Sequence, residues 1–411
     1  AASRGLSVVL KDPQAGGWKI DPETLKPSRT RPLESDVQVE SCARCHARRR
    51  PLEVDFHHGQ RFFDTHTPSI LEDVLYHPDG QIKEEVYVYG SFVQSKMFHH
   101  GVRCTDCHNP HTLKPRAEGN ALCAQCHVPT KYDTPTHHHH KVGSTGSQCV
   151  ECHMPATHYM VVDPRRDHSL RVPRPDLSVT LGTPNACNQC HQEHDAEWAA
   201  AALKKWLQED GKPEPPPHFG ETIAAGRSDP SRATPRLIDL AADQAQPPIA
   251  RATALELIAR RLSESGVQAL AASLSDPDPT VRLSALEGLQ SIEPTQRVQL
   301  AAGLLSDPIR SIRIAAARLL APTHETLRAG PHAAAFDAAL AEYRESLDAL
   351  ADRPGSHVGY GLLHSAFGEV EKAEAAYRDA FRVDPQNVEG RVNLAELLYG
   401  QGRTSEAGAL L

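Results

Sequence analysis

The chain has 411 residues, the length of two or three domains at roughly 100–200 residues per domain. Its formal net charge of −8 excludes the basic footprint of a nucleic-acid-binding protein, and no stretch approaches the ~20 consecutive apolar residues of a membrane span. Aromatic residues make up only 5%, whereas there are 10 Cys and 24 His. The positions of these two residue types therefore carry most of the functional information in the sequence.

The ten cysteines form five pairs in the first half of the chain, and a histidine follows each pair directly. The five Cys-x-x-Cys-His motifs, numbered here in chain order, are Cys42/Cys45/His46, Cys104/Cys107/His108, Cys123/Cys126/His127, Cys149/Cys152/His153 and Cys187/Cys190/His191. This is the attachment signature of c-type haem, in which two thiols bind the haem vinyl groups and the histidine is the proximal iron ligand. We predict five covalently attached haems c.

Three other uses of paired cysteines fit this pattern less well. Zinc ribbons with four cysteines need an even number of pairs and give no reason for a histidine after each pair. A disulfide framework would not require the histidines either, and a thioredoxin-like site needs one motif at a strand–helix junction. Haem attachment remains the prediction.

The chemistry of attachment also predicts the compartment. Because c-type haem is attached to reduced cysteines outside the bacterial cytoplasm, we expect an exported protein, periplasmic or extracellular. Residues 1–20 lack a signal-peptide pattern, and the last residues resemble the middle of a repeat. We expect a mature chain or a fragment of a longer protein.

Fourteen histidines outside the motifs lie within residues 42–194, more than five irons need as second axial ligands. The distal candidates that their sequence setting favours are His111, His137, His138, His140 and His168, with His158 ranked below them. His57, His58, His66, His77, His99, His100 and His194 are candidates only by proximity. With only three methionines in the chain, we expect mainly bis-histidine, low-spin haems of low potential.

A haem for about every 40 residues leaves too little polypeptide to wrap each macrocycle separately. The haems are therefore expected to pack against each other in a loop-rich cytochrome domain over residues 1–210. Pro and Gly punctuation around the motifs predicts loops and short helices there. A clearer helix is predicted at about Asp195–Gln208, with Trp198 and Trp206 forming a lid against the last haem.

The second half of the chain is rich in Ala and Leu and follows a Pro-rich linker over residues 211–234. Arg251, Arg282 and Arg313 recur at 31 residues, which predicts HEAT-like helical repeats over 235–325. Pairs such as Tyr343 and Tyr377 recur at 34 residues, which predicts tetratricopeptide-like repeats over 326–411, the last one incomplete. The fold class is therefore mostly α, a multihaem domain followed by an α-solenoid with a docking face.

With these residues in hand, the chain resembles bacterial multihaem c-type cytochromes with C-terminal HEAT-like and tetratricopeptide repeats. The strings that carry the resemblance include Cys42–Arg49, Gly101–His111, Cys152–Pro155, Arg165–His168 and Thr183–Cys187. The resemblance implies kinship with the pentahaem nitrite reductase and octahaem hydroxylamine oxidoreductase group, and further haems upstream. The Cys-x-x-Cys-Lys motif of the nitrite reductases is missing here, which weakens that specific activity.

Three functions compete. The first is an electron carrier with redox partner proteins, in which the repeats mediate docking, self-assembly or complex formation. The second is a multihaem oxidoreductase acting on a small nitrogen or sulfur compound at one open iron. The third is a scaffold in which the repeats dominate. Plentiful distal histidines favour the carrier, for which no catalytic residue, nucleic-acid partner or membrane span is predicted.

Overall fold

The computed structural model describes residues 10, 16–55, 57 and 59–411, and helices dominate them. They form two compact units. The first comprises the chain up to Arg49, a short segment ending at Phe62, and Pro68–Arg261; the second comprises a segment beginning at Arg50, Phe63–Thr67 and Leu262–Leu411. The predicted mostly α fold with a helical-repeat region is confirmed. Within the described ranges, no helix is both long and apolar enough to cross a membrane.

Around the motifs the helices are short, and they lengthen after the fifth motif. The helices before residue 262 are α1 (Val37–His46), α2 (Phe62–Thr65), α3 (Tyr89–Phe92), α4 (Lys96–His99), α5 (Cys104–Cys107), α6 (Asn120–Cys123), α7 (Pro129–Tyr132), α8 (Pro135–His138), α9 (Cys149–His153), α10 (Pro175–Leu181), α11 (Ala186–Cys190), α12 (Ala196–Glu209), α13 (Phe219–Ser228), α14 (Pro230–Ala242) and α15 (Pro248–Ala259). Two-stranded sheets pair β1 (Trp18–Ile20) with β2 (Pro27–Arg29), β3 (Arg49–Pro51) with β4 (His66–Pro68), and β5 (Ala156–Tyr159) with β6 (Asp163–Arg166).

Helix α12 is the helix predicted after the fifth motif. It begins where the Asp195 carboxylate accepts the backbone N–H of Trp198 at 2.9 Å, an N-cap that satisfies one of the free donors of the first turn. α12 packs against α10 and buries Ala199. In the stretch expected as a linker, residues 212–218 lie outside helices and α13 begins at Phe219.

The helices after residue 262 form the second unit. They are α16 (Glu264–Ser273), α17 (Pro279–Gly288), α18 (Pro294–Ala301), α19 (Arg310–Leu320), α20 (His324–Arg328), α21 (Ala333–Asp348), α22 (Pro354–Ala366), α23 (Val370–Val383), α24 (Val388–Gly400) and α25 (Thr404–Leu410). α17 packs on α19, α19 on α21, and α22 to α25 pack in succession. Successive packing of neighbouring helices is the pattern of a solenoid.

The arginines that recur at 31 residues have recurring contacts. Arg282 Nη1 donates to the carbonyl oxygen of Asp276 at 2.7 Å, and Arg313 Nη1 donates to that of Asp307 at 2.8 Å. The offset is the same six residues in both. Arg282 also holds both carboxylate oxygens of Asp307, at 3.0 and 3.2 Å. The repeated arginine therefore ties the turn before its own helix to the turn of the next repeat.

Candidate functional site

All five motifs lie in the first unit, each at a short helix. Cysteines three positions apart on a helix lie on the same face, so each pair presents two thiols to one side. In the second, third and fifth motifs the histidine N–H donates to the carbonyl oxygen of the first cysteine at 2.9 Å. This bond continues the helical turn and holds the imidazole close to its two thiols.

The ten cysteines are alike in the sequence but differ in their exposure. Cys45 in the first motif and Cys190 in the fifth are exposed, whereas the other eight are half-buried. Cys45 is exposed because it lies in the last turn of α1, two positions after Ala43, and therefore on the side of the helix opposite to that buried residue. The adjacent His46 is exposed as well. The predicted anchoring role of Cys45 thus rests on its motif and not on burial, and it stays a prediction.

Hydrogen bonds between neighbouring helices hold successive motifs together. The side chain of Asn120, at the start of α6, accepts the N–H of Cys149 at 2.9 Å and donates to the carbonyl oxygen of Ser147 at 2.9 Å. Gln38 on α1 accepts the N–H of Thr105 at 3.2 Å. The first motif is thereby joined to the second, and the third to the fourth.

All ten thiols are free, and two pairs from different motifs touch. The Cys104 thiol is hydrogen-bonded to the sulfur of Cys42, which lowers the pKa of Cys42 to about 7 and raises that of Cys104. In the same way, a hydrogen bond between the thiols of Cys149 and Cys123 lowers the pKa of Cys123 and raises that of Cys149. A low thiol pKa favours the thiolate, the reactive form of cysteine.

The second and third motifs, and the fourth and fifth motifs, also lie close to each other. Burial, and then the charges of Asp106 and Cys126, raise the pKa of Cys107, so the second motif is close to the third. Burial, and then Cys187 of the fifth motif, raise the pKa of Cys152 to about 11. Each motif therefore adjoins the next one along the chain.

Three motif histidines each face a histidine from outside the motifs. The distances between ring centroids are 6.4 Å for His108 and His168, 6.1 Å for His137 and His153, and 6.0 Å for His140 and His191. The three outer histidines are among the predicted distal candidates. Their rings lie opposite the second, fourth and fifth motifs.

Backbone carbonyls orient one ring of each pair. His168 Nδ1 lies 2.9 Å from the carbonyl oxygen of Arg166, His153 Nδ1 lies 2.8 Å from that of Arg171, and His140 Nδ1 lies 2.5 Å from that of His138. Because a carbonyl only accepts, Nδ1 carries the proton and Nε2 keeps a free lone pair. Burial lowers the pKa of His168 and so favours this neutral form. No local sequence pattern indicates these carbonyl partners.

The other distal candidates have different surroundings. His111 and His158 are exposed, as His137 is too, but no motif ring lies opposite them among the described ring pairs, and the N–H of His111 donates to Asn109 Oδ1 at 2.9 Å. His138 Nδ1 accepts the N–H of His140 at 3.1 Å. Of the histidines proposed only by proximity, His58 lies outside the described residues, His66 is buried and His194 stacks on Trp198 at 4.1 Å.

The two tryptophans of α12 both contact histidine rings. Trp198 lies 5.1 Å from His191, and Trp206 stacks on His139 at 4.0 Å with an interplanar angle of 4°. α12 therefore borders both the fifth motif and the histidine run 137–140. Sequence spacing suggested the first contact but not the second.

A buried ionic cluster beside the fourth motif was also missed by the sequence analysis. Arg171 lies 3.3 Å from Asp79 and 3.2 Å from Asp167, and Gln81 donates to Asp79 at 2.8 Å. Asp79, Gln81 and Arg171 line a small cavity together with Cys152. Residues distant in sequence meet here, so no local pattern could have indicated the cluster.

The motif residues present the donor set that a c-type haem requires, two thiols on one helix face and an adjacent imidazole. The thiols are free, and the His153 ring, whose Nδ1 faces the carbonyl oxygen of Arg171, directs Nε2 away from that partner. Among the described residues, no three or more Cys, His, Asp or Glu side chains converge as ligands for a metal ion. The two thiols and the adjacent imidazole of each motif are what fit a covalently attached haem.

Comparisons with known proteins match three separate segments. Residues 97–132 match the family model for the doubled CXXCH motif, residues 234–321 match HEAT repeats, and residues 365–411 match the tetratricopeptide repeat. Searches of curated proteins and of solved structures found no match. The predicted HEAT and tetratricopeptide repeats are thus confirmed, and the doubled CXXCH match covers the second and third motifs. These matches indicate covalent haem c binding and protein–protein interaction.

Proposed function

We propose that this protein is a multihaem c-type cytochrome that carries electrons through five covalently attached haems, most of them bis-histidine and low-spin. The haem-binding part is residues 1–210, and residues 235–411 dock redox partner proteins or further copies; of the stretch 211–234 between them, only residues 212–218 have the non-helical character of a linker. The location is periplasmic or extracellular. Kinship with the nitrite reductase and hydroxylamine oxidoreductase group belongs to this proposal.

The observation that carries the proposal is the succession of motifs. Helix α1 of the first motif packs on α5 of the second, α6 of the third packs on α9 of the fourth, and α9 packs on α11 of the fifth, while the charge of Cys126 in the third motif acts on Cys107 in the second. Cofactors attached at such positions would be neighbours throughout, which electron transfer needs. When bound, haem supplies one-electron redox chemistry.

The chain's own residues then have distinct tasks. The thiols would attach the haems covalently, and the histidines of the motifs would be the proximal ligands of the haem irons. The carbonyl oxygens of Arg166 and Arg171 hold imidazoles in the ligating tautomer, since each accepts an Nδ1–H. At the second, fourth and fifth motifs, the histidine that faces the motif histidine would occupy the position a substrate needs, which supports a carrier over an enzyme.

The test is the mass of the exported chain together with the EPR and absorption spectra of the oxidised protein. We expect a mass increase of five haems and almost entirely low-spin signals. A high-spin signal near one haem equivalent, with turnover of nitrite, hydroxylamine or tetrathionate, would favour the oxidoreductase instead. A chain without covalent haem would contradict both.

A further inference from the structure

We infer which histidine is the second axial ligand of three irons in the proposed array. The assignments are His168 opposite His108, His137 opposite His153, and His140 opposite His191. The inference rests on the proposed function and deepens it, because it specifies the coordination of the second, fourth and fifth motifs.

The first argument is the distance between rings. Two imidazole nitrogens that each lie about 2 Å from one metal ion put their ring centroids about 6 Å apart. The three pairs have centroid distances of 6.0 to 6.4 Å. The face-to-face stacks of His194 on Trp198 and of His139 on Trp206 are closer, at 4.1 and 4.0 Å, although the rings of Tyr360 and His364 stack at 5.9 Å, so the distance leaves room for an ion and the ring orientation must support it. The three pairs are therefore spaced for an ion between them.

The second argument is the protonation of the rings. His168, His153 and His140 each direct Nδ1 to a backbone carbonyl, and one of them is present in every pair. The proton is thereby fixed on Nδ1, and Nε2 is the metal-binding nitrogen. His138 has the opposite arrangement. Its Nδ1 accepts the backbone N–H of His140, its Nε2 is buried without a hydrogen-bond partner, and none of the ring pairs among the described residues joins it to a motif histidine, so it is the rival to be tested against His137 and His140.

The fifth motif has two neighbouring rings, and they must be distinguished. His194 lies 6.5 Å from His191, close to the 6.0 Å of His140. However, His194 follows His191 by three residues, and its N–H donates to the His191 carbonyl oxygen at 3.2 Å, so both belong to one turn. Its ring is also stacked on Trp198, and its Nε2 faces Glu193 at 3.5 Å. His140, from a separate segment, is the ligand.

The assignments join distant parts of the chain. His137 and His140 are three residues apart yet serve the fourth and fifth motifs, so one short segment links two irons. His168 follows the fourth motif but serves the second. Incorporation of haem therefore cross-links segments of the chain that are separated by 16 to 60 residues in the sequence.

The experiment uses the full haem-loaded chain with single substitutions His168→Ala, His137→Ala and His140→Ala. We expect each to convert one haem equivalent from low-spin to high-spin in the EPR spectrum, with the haem count by mass unchanged. Added imidazole should restore the low-spin signal, which a merely structural role would not do. The matched control His194→Ala should remain low-spin, and so should His138→Ala, whose conversion to high-spin with a low-spin His137→Ala or His140→Ala would overturn the corresponding pair.

Each outcome bears on one assignment. A fully low-spin His168→Ala or His137→Ala protein overturns that pair, and a high-spin His194→Ala with a low-spin His140→Ala overturns the third. If an alanine variant fails to accumulate, the methionine variant keeps six ligands and should raise the potential of one haem. Unchanged potentials would then overturn the pair. A wild-type chain without haem would overturn the proposed function itself.

Discussion

The Nδ1–H of His153 is donated to the carbonyl oxygen of Arg171, 2.8 Å away. The side chain of the same arginine lies between Asp79 and Asp167, whose carboxylates are 1% and 9% exposed. Because the ion pairs fix Arg171 and the carbonyl fixes the imidazole, the buried cluster positions the proximal histidine of the fourth motif.

Substitution Arg171→Gln is expected to destabilise the first unit by about 3 kcal/mol, because it leaves buried carboxylates without their cation. The matched control is Arg260→Gln, whose ion pair with Glu256 has side chains 46% and 36% exposed, and its cost should stay below about 1 kcal/mol. Chemical denaturation of both proteins, followed by far-UV circular dichroism, measures the difference. Equal losses in the two variants would contradict this role of the cluster.

Substitution Arg282→Met is expected to cost about 3 kcal/mol in the second unit. The side chains of Arg282 and Asp307 are 11% and 5% exposed, and the substitution would leave the carboxylate buried and unpaired. Arg328→Met is the control, since the Arg328 and Asp337 side chains are 44% and 55% exposed. In thermal unfolding experiments, the transition temperature of Arg282→Met should be clearly lower than that of the wild type. The transition temperature of Arg328→Met should hardly change.

Substitution Gly361→Ala is expected to destabilise the tetratricopeptide region by about 1–3 kcal/mol, because the new methyl group would overlap the buried ring of Tyr377. Gly355→Ala, in the same helix α22, meets open space and should be neutral or stabilise by up to about 1 kcal/mol. Chemical denaturation of the two variants, compared by their unfolding midpoints, measures the difference. A well-tolerated alanine at 361 would show that the helices can separate at little cost.

The stability of the first unit should fall as the pH drops from about 6.5 towards 4. Burial, only partly opposed by Asp79, lowers the pKa of His218 to about 4, and its Nδ1 accepts the N–H of Gly220 at 3.0 Å. The unfolded chain binds this proton near pH 6.5 and the folded chain does not, so stability present at neutral pH is lost in this window.

The expected contribution of His218 is about 2 kcal/mol between pH 7 and pH 4, reduced for its partial exposure. His218→Asn keeps a helix-capping acceptor but cannot titrate, so its unfolding free energy should vary less with pH. The difference between wild type and variant, measured at several pH values, isolates this one group. Parallel curves would mean that His218 does not carry the dependence.

Local patterns in the sequence were enough for much of the fold. The motif helices, α12 and both repeat types were predictable because each depends on residues within one or two turns or on a regular repeat. Two kinds of contact were not predictable: the ion pair between Asp79 and Arg171, and the hydrogen bonds between imidazoles and the carbonyl oxygens of Arg166 and Arg171. They join residues by backbone geometry or across 92 positions, for which the sequence has no local signal.

The sequence by itself determined the chemistry of this protein, because a Cys-x-x-Cys-His motif places two thiols and an imidazole within a single helical turn. It also determined the repeat half, because helical packing follows a fixed period. Only the tertiary structure decided which motifs are neighbours, which thiols are exposed, as Cys45 is, and which of the fourteen spare histidines face the motifs. Those choices depend on where separate segments meet, and an excess of chemically identical side chains can be resolved only by distance and by the orientation of each ring.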